Sequence, residues 1–199
     1  MLHSIALGLM IITVHKFKMP PPTKSDRYRT PAEYVDQIAP FLPRDCVMWE
    51  PFDTPQHAIS TRLHVLRPDI TFVQHGLEYD GRDAFTDLSS GSSSRPMEAT
   101  VIVSNPPFSE KDRLLELLYA QSLPWAMLMP LHVLEGKRTR MPLFREHGVE
   151  VLILSRRGYL HPDTCEQLPS SRAGSCWLCK GILPSSLMFE HVTCRDDVT

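Results

Sequence analysis

Thr100-Val101-Ile102-Val103-Ser104-Asn105-Pro106-Pro107-Phe108 is the stretch from which the rest of this chain is best read. Its first five residues form the clearest strand in the sequence, a short apolar run of the kind that is buried in a sheet. The double proline then stops the strand and fixes the chain in an extended form. Each proline contributes a carbonyl but no N–H. The loop therefore presents acceptors, the Asn105 side-chain oxygen and the Pro106 carbonyl, beside the flat apolar face of Phe108. Acceptors next to a ring form a receptor for a planar amine.

The flanking segments alternate between strand and helix. Cys46-Val47-Met48-Trp49 reads as a buried strand that runs into Glu50-Pro51-Phe52-Asp53. Before it, Thr30-Pro31 offers a helix start, with Thr30 as N-cap and Pro31 at the first helical position, and Tyr34, Ile38, Phe41 and Leu42 follow at helical spacing. After it, Ala58, Leu63, Val65 and Leu66 suggest a second helix, and residues 70–73 another strand. Residues 89–94 form a serine-rich loop. Beyond the double proline, Ser109 is placed to cap a helix whose Leu114, Leu117, Leu118 and Gln121 share a face. Residues 125–129 and 149–154 read as strands and 141–147 as a helix, while 175–182 and 187–189 suggest an antiparallel C-terminal hairpin. No internal repeat is found. This alternation predicts a Rossmann-like α/β fold, a mostly parallel sheet with helices on both faces. Such sheets bind ligands beyond the carboxyl ends of their strands, where both Glu50-Pro51-Phe52-Asp53 and Asn105-Pro106-Pro107-Phe108 fall.

A chain of 199 residues that is 42% hydrophobic can bury one good core. Met19-Pro20-Pro21-Pro22-Thr23-Lys24-Ser25 is a proline-rich polar linker. It divides the chain into an N-terminal apolar segment with its linker, residues 1–25, and a single domain, residues 26–199. The apolar run at 5–14 is too short for the roughly 20 residues that span a bilayer, so no membrane span is expected. It also lacks the basic flank and cleavage site of a secretory signal. Net charge is −2, without the strongly basic footprint of a dedicated nucleic-acid binder, although basic residues cluster at 16–29, at 137–145 and at Arg156-Arg157. Five cysteines, an odd number, argue against a secreted disulfide framework and for a reducing intracellular compartment, cytoplasm or nucleus. Cys176 and Cys179 form a Cys-x-x-Cys pair, with Cys165 and Cys194 outside it and His161 and His191 nearby. Zinc needs four converging ligands, and these spacings fit no compact ribbon, so buried thiols and no metal are expected.

The sequence resembles the class I amino-methyltransferases that carry an Asp/Asn-Pro-Pro-Tyr/Phe loop, and is most similar to adenine-N6 DNA methyltransferase-like proteins. Tyr28-Arg29-Thr30-Pro31 resembles their N-terminal element, Trp49-Glu50-Pro51-Phe52 their first cofactor motif, and Asp83-Ala84-Phe85 an Asp-Phe-Phe element that lines the cofactor's adenine. Order and spacing agree from about Arg27 to Arg157. The resemblance implies S-adenosylmethionine as cofactor, held by Tyr28, Thr30, Pro31, Glu50, Pro51, Phe52, Asp83 and Phe85. It implies methyl transfer to an exocyclic amine at Asn105, Pro106, Pro107 and Phe108, with adenine N6 in DNA or RNA as target. Two acceptors on the amine hydrogens would favour a pyramidal nitrogen and oppose the positive charge that grows on it. Phe108 would stack on the base, which must be flipped out of a duplex unless the strand is single.

Only one short helix fits between Phe108 and Trp125, leaving no room there for a target-recognition domain. Recognition is thus expected from Lys137, Arg138 and Arg140, from the N-terminal segment, or from a protein partner. The chain departs from the family at two places. No glycine follows Phe52 in Asp53-Thr54-Pro55-Gln56-His57, and Gln74-His75-Gly76 stands where a ribose-binding acid is usual. Those departures raise a catalytically inactive scaffold as one alternative; methylation of a glutamine amide or a guanine amino group is another. Glu50 is expected to hydrogen-bond, and His57 and His75 to occupy loop positions.

Overall fold

The apolar runs pair into one seven-stranded sheet, described by a computed structural model over residues 29–89, 95–136, 138–161, 163–169 and 174–191. The strands are β1 (Val47–Glu50), β2 (Thr71–Gln74), β3 (Val101–Ser104), β4 (Trp125–Pro130), β5 (Glu150–Ile153), β6 (Ser175–Lys180) and β7 (Leu187–Phe189), in the order β2-β1-β3-β4-β6-β5-β7. The helices are α1 (Ala32–Ile38), α2 (Ala58–Leu66), α3 (Ala84–Ser89), α4 (Lys111–Tyr119) and α5 (Arg140–His147). β2, β1, β3 and β4 run parallel, and β6 runs antiparallel to both β4 and β5.

Side chains alternate across each strand, so the sheet buries two separate layers. On one face Met48, Val101, Val103, Ala126, Leu128 and Trp177 pack under Tyr34, Val35 and Ile38 of α1 and Ile59 and Leu63 of α2. On the other, Trp49, Ile102, Trp125, Met127 and Leu178 pack under Phe85 and Leu88 of α3 and Leu114, Leu115 and Leu118 of α4. Trp177 is fully buried and its indole N–H donates to the Tyr34 carbonyl at 2.7 Å, tying α1 to β6. Each such side chain contributes about 1.5–3 kcal/mol when removed from water.

Several sequence expectations need correction. α1 begins at Ala32, with Pro31 in the capping position, so Thr30 does not cap it. Glu110, not Ser109, precedes α4, and Ser109 lies in a short 3-10 turn before it. On α2 the buried residues are Ile59 and Leu63, while Val65 and Leu66 face solvent. On α4 the buried face is Leu114, Leu115, Leu118 and Tyr119, and Gln121 lies past the helix end. The two C-terminal strands do not form a hairpin with each other: β5 lies between them, antiparallel to β6 and parallel to β7. The physical cause is visible at Glu150. Its carboxylate accepts the N–H groups of Gly181, Ile182 and Leu183, which carries the chain away from β6 before it can turn back. Helix α3 was not anticipated. The basic stretch at 16–29 lies outside the described residues except for Arg29, and most of the serine-rich loop does too.

The chain passes from β1 to β2 on one side and later to β3 on the other, so β1 and β3 flank a topological switch point. There the exit from β1 is held from both sides. The His75 N–H donates to the Glu50 carbonyl (3.0 Å), the Asp53 N–H donates to the His75 carbonyl (2.9 Å), and the Phe52 N–H donates to Ser104 Oγ (3.2 Å). Gly76 permits this approach, since a Cβ there would stand 2.0 Å from the Asp53 carbonyl oxygen. Its φ is not left-handed, so the conflict is one of space alone. Gly76→Ala should therefore lower stability by about 1–3 kcal/mol or more, read as a lower urea midpoint with an unchanged m-value.

Candidate functional site

At the switch point the loops after β1, β2 and β3 surround a cleft of about 1020 Å³, partly open to solvent. Glu50, Pro51, Phe52, Asp53 and Thr54 line it from β1, Leu77 and Glu78 from the turn after β2, and Asn105, Pro107, Ser109 and Glu110 from β3. Thr30 and Arg29 close one side, and Arg82, Asp83, Ala84 and Phe85 another. The Phe52 and Phe85 rings meet edge to face, 5.4 Å apart, and give the cleft an apolar wall. The Arg113 guanidinium lies 4.8 Å from the Phe85 ring centroid.

The floor is acidic. Glu50 and Asp53 are both buried, and Glu50 Oε2 has no hydrogen-bond partner among the described residues. Burial first, and the neighbouring Asp53 charge second, push the Glu50 carboxyl well above the usual carboxylate range. Burial raises Asp53 as well, against hydrogen bonds led by that of His57, which hold it down. His57 Nδ1 faces Asp53 Oδ2 directly. The pair thus holds a shared proton with Glu50 as its carrier, because Asp53 has the imidazole and Glu50 does not. Gln74 donates to Ser60 Oγ at 2.6 Å and fixes the α2 side of this cluster. His57 is in the left-handed region (φ 47°, ψ 46°), with the ring of Tyr79 edge-on to it at 4.7 Å.

Asn105 leaves β3 with its amide NH2 donating to Thr30 Oγ1 at 3.1 Å, while Oδ1 is buried and without a partner. A buried acceptor left unpaired costs on the order of 1–3 kcal/mol. The geometry therefore supplies one free acceptor at the cleft, suited to an N–H donor.

Of the residues expected from sequence, Thr30, Glu50, Pro51, Phe52, Asp83, Phe85, Asn105 and Pro107 come together around this cleft. Pro31 and Pro106 are buried behind it and do not line it. Asp83 caps α3, its Oδ1 accepting the Phe85 N–H and its Oδ2 the Thr86 hydroxyl. Phe108 is half-buried and packs edge-on to Tyr159, 6.2 Å away, instead of lining the cleft. Arg138 is exposed, but Arg140 is buried, 3.3 Å from Asp112 and donating to the Glu135 carbonyl. Its charge is spent inside the protein, at the start of α5, so it offers no surface cation. Tyr28 and Lys137 lie outside the described residues.

His57 and His75 do occupy loops, but as parts of networks. His75 Nε2 accepts from Arg82 (2.9 Å) and Nδ1 meets Asp80 (2.7 Å). Asp53, Gly76 and Glu78 were not singled out for the site. The sequence signals that could have found them are the acid directly after Pro51-Phe52 and the glycines at 76 and 81, which bracket Glu78 in a tight turn. Cys176 and Cys179 lie on opposite faces of β6, one in each core layer, so they cannot ligate one ion. Among the described residues no three His, Cys, Asp or Glu converge as metal ligands. Among them, too, no helix is long and apolar enough to cross a membrane.

No protein-family model and no curated protein matches this sequence. Solved structures do. The modification subunit assigned to a type I restriction enzyme from Vibrio vulnificus YJ016 superposes with a TM-score of 0.52 at 14% identity, over 78% of this chain and 44% of that one. The M protein of the type I restriction enzyme EcoKI superposes with a TM-score of 0.53 at 15% identity, over 79% of this chain and 44% of that one. This chain thus spans under half the length of either. Its fold is the Rossmann-like methyltransferase fold.

The buried acid pair has a consequence for stability. A carboxyl raised on folding keeps its proton in the native state where the unfolded chain has lost it. Its contribution is full below the unfolded value of about 4.3 and falls as pH rises toward the folded value. Glu50→Gln removes that loss while keeping shape. Its melting temperature relative to the parent should therefore climb between pH 4.5 and pH 8; a difference that stays flat with pH would contradict the buried proton.

Proposed function

We propose that this chain is an S-adenosylmethionine-dependent methyltransferase acting on an exocyclic amine, with adenine N6 of DNA or RNA as the target, and with residues 26–199 as one catalytic domain. The observation that carries this is the unpaired Asn105 Oδ1, placed after β3 beside an acid-floored cleft at the switch point. A structural turn has no need to leave a buried acceptor empty; a receptor for an N–H donor does.

The cleft's own chemistry fits the cofactor. Glu50, with a partnerless oxygen, offers an anion for a cationic ligand, and Phe52 with Phe85 offers an apolar wall for a planar one. Thr30, Pro31, Glu50, Pro51, Phe52, Asp83 and Phe85, with Tyr28, are the residues proposed to hold it. Glu78, on the turn after β2, places an acid at the cleft beyond the strand where Gln74-His75-Gly76 lacks one. When bound, S-adenosylmethionine supplies an electrophilic methyl group on a sulfonium.

Asn105 Oδ1 and the Pro106 carbonyl accept the two amine hydrogens and draw the nitrogen toward a pyramidal form, with its lone pair free to attack. They also oppose the positive charge that grows on nitrogen, an interaction stronger in the transition state than in the ground state. Phe108 can meet a base only by giving up part of its contact with Tyr159, so Asn105 has the larger share of the work. Arg138 is the exposed cation of the 137–140 segment, which leaves the same edge of the sheet. Lys137 is proposed beside it, Arg140 no longer is, and a protein partner supplies further recognition.

Calorimetry with S-adenosylmethionine should show binding, weakened by Phe52→Ala; no heat and no thermal shift at millimolar ligand would favour an inactive scaffold. Asn105→Ala should cost about 10²–10³ in turnover, with cofactor affinity and folding nearly intact. Asn105→Asp keeps an acceptor and should retain substantial activity. Mass spectrometry of products from mixed DNA, RNA and protein substrates separates adenine from guanine and glutamine targets.

A further inference from the structure

We propose that Thr30 is a positioning residue for the amine receptor: its hydroxyl engages the Asn105 NH2 group and so turns Oδ1 toward the incoming amine. This rests on the function proposed above and adds a role to a residue that resemblance assigned only to the cofactor.

The two ends of an Asn amide have nearly the same shape and opposite polarity. At Asn105 that choice decides whether the loop attracts an amine or repels it. With Oδ1 toward the cleft, Nδ2 donates to Thr30 Oγ1 and Oδ1 awaits an N–H donor. In the reversed orientation the NH2 group would confront the amine's own hydrogens, donor against donor. Thr30 is the one described residue that hydrogen-bonds the Asn105 side chain.

Its own placement is rigid. Thr30 is 5% exposed, it precedes Pro31 at the entry to α1, and Arg29 beside it exchanges two backbone hydrogen bonds with Leu160 (3.0 and 3.1 Å). A β-branched side chain on such a backbone has few rotamers to choose from. The hydroxyl is therefore fixed before the substrate arrives, which is the condition for preorganised stabilisation. This also explains why Thr30 is buried and yet does not cap the helix it precedes.

The test is a double-mutant cycle. Thr30→Val keeps the shape and removes the hydroxyl, and should lower kcat about tenfold or more while S-adenosylmethionine affinity holds within about twofold. Thr30→Ser should restore most of the rate. In the Asn105→Asp background both ends of the side chain are acceptors and orientation loses its meaning. There Thr30→Val should have little effect, whereas a packing or cofactor-binding role would persist. Equal loss of rate in both backgrounds, or loss of cofactor affinity with kcat intact, overturns the proposal.

A second readout is independent of turnover. The side-chain amide resonance of Asn105, assigned by its disappearance in Asn105→Asp, should shift in Thr30→Val. An unshifted resonance overturns the proposal even if activity falls. Should Asn105→Ala methylate as fast as the parent, the amine receptor itself is wrong, and that result is distinct from a failure at Thr30 alone.

Discussion

The way the chain leaves β1 constrains everything in the cleft. Two backbone hydrogen bonds to His75 and one to the Ser104 hydroxyl fix residues 50–53 between the ends of β2 and β3. Once those are made, Glu50 and Asp53 point into the interior, Phe52 meets Phe85, and the turn after β2 is drawn over the cleft. None of these placements is independent. They share one requirement, that the loop after β2 come within backbone contact of Asp53, and Gly76 is the residue that meets it.

The cleft is assembled at a cost in stability. An unpaired Asn105 oxygen, a Glu50 oxygen without a partner and two carboxyls raised together are features that a chain selected only for folding would replace. The two tryptophan-bearing core layers, closed on both sides of the sheet, offset that cost. The strain is confined to the carboxyl edge of four parallel strands, where the sheet's geometry gathers loops from distant parts of the sequence.

Most of the sheet was legible in the sequence because its strands are short apolar runs bounded by prolines, charges or glycine, and each came within a residue or two of its expected limits. Topology at the C-terminal end was not. Nearness in sequence favoured a hairpin, while pairing is decided by which edge is open, and β5 had already taken the position beside β7. Helix α3 escaped notice because it is six residues long and half polar. At the site, Asn105, Glu50, Phe52, Asp83 and Phe85 could be named from their positions after strands. The importance of Gly76 could not, because close approach is a property of two backbones, and a sequence displays one at a time. Arg140 misled for a related reason: charge is written in the sequence, but whether a neighbour such as Asp112 consumes it is not.

The insertion of β6 between β4 and β5 also sets an order of events during synthesis. A chain emerging from its N-terminus completes β1 to β4 and then β5 before the strand that joins β4 to β5 exists. Until Ser175–Lys180 arrives, the backbone of Trp125–Pro130 has an unsatisfied edge, and Trp177 is missing from beneath α1. Nascent chains at that stage resemble an open-edged intermediate, the species most prone to pairing with the wrong partner. Closing the sheet late, through contacts far apart in sequence, makes this a fold whose yield depends on what shields that edge in the interval before the final strand is made.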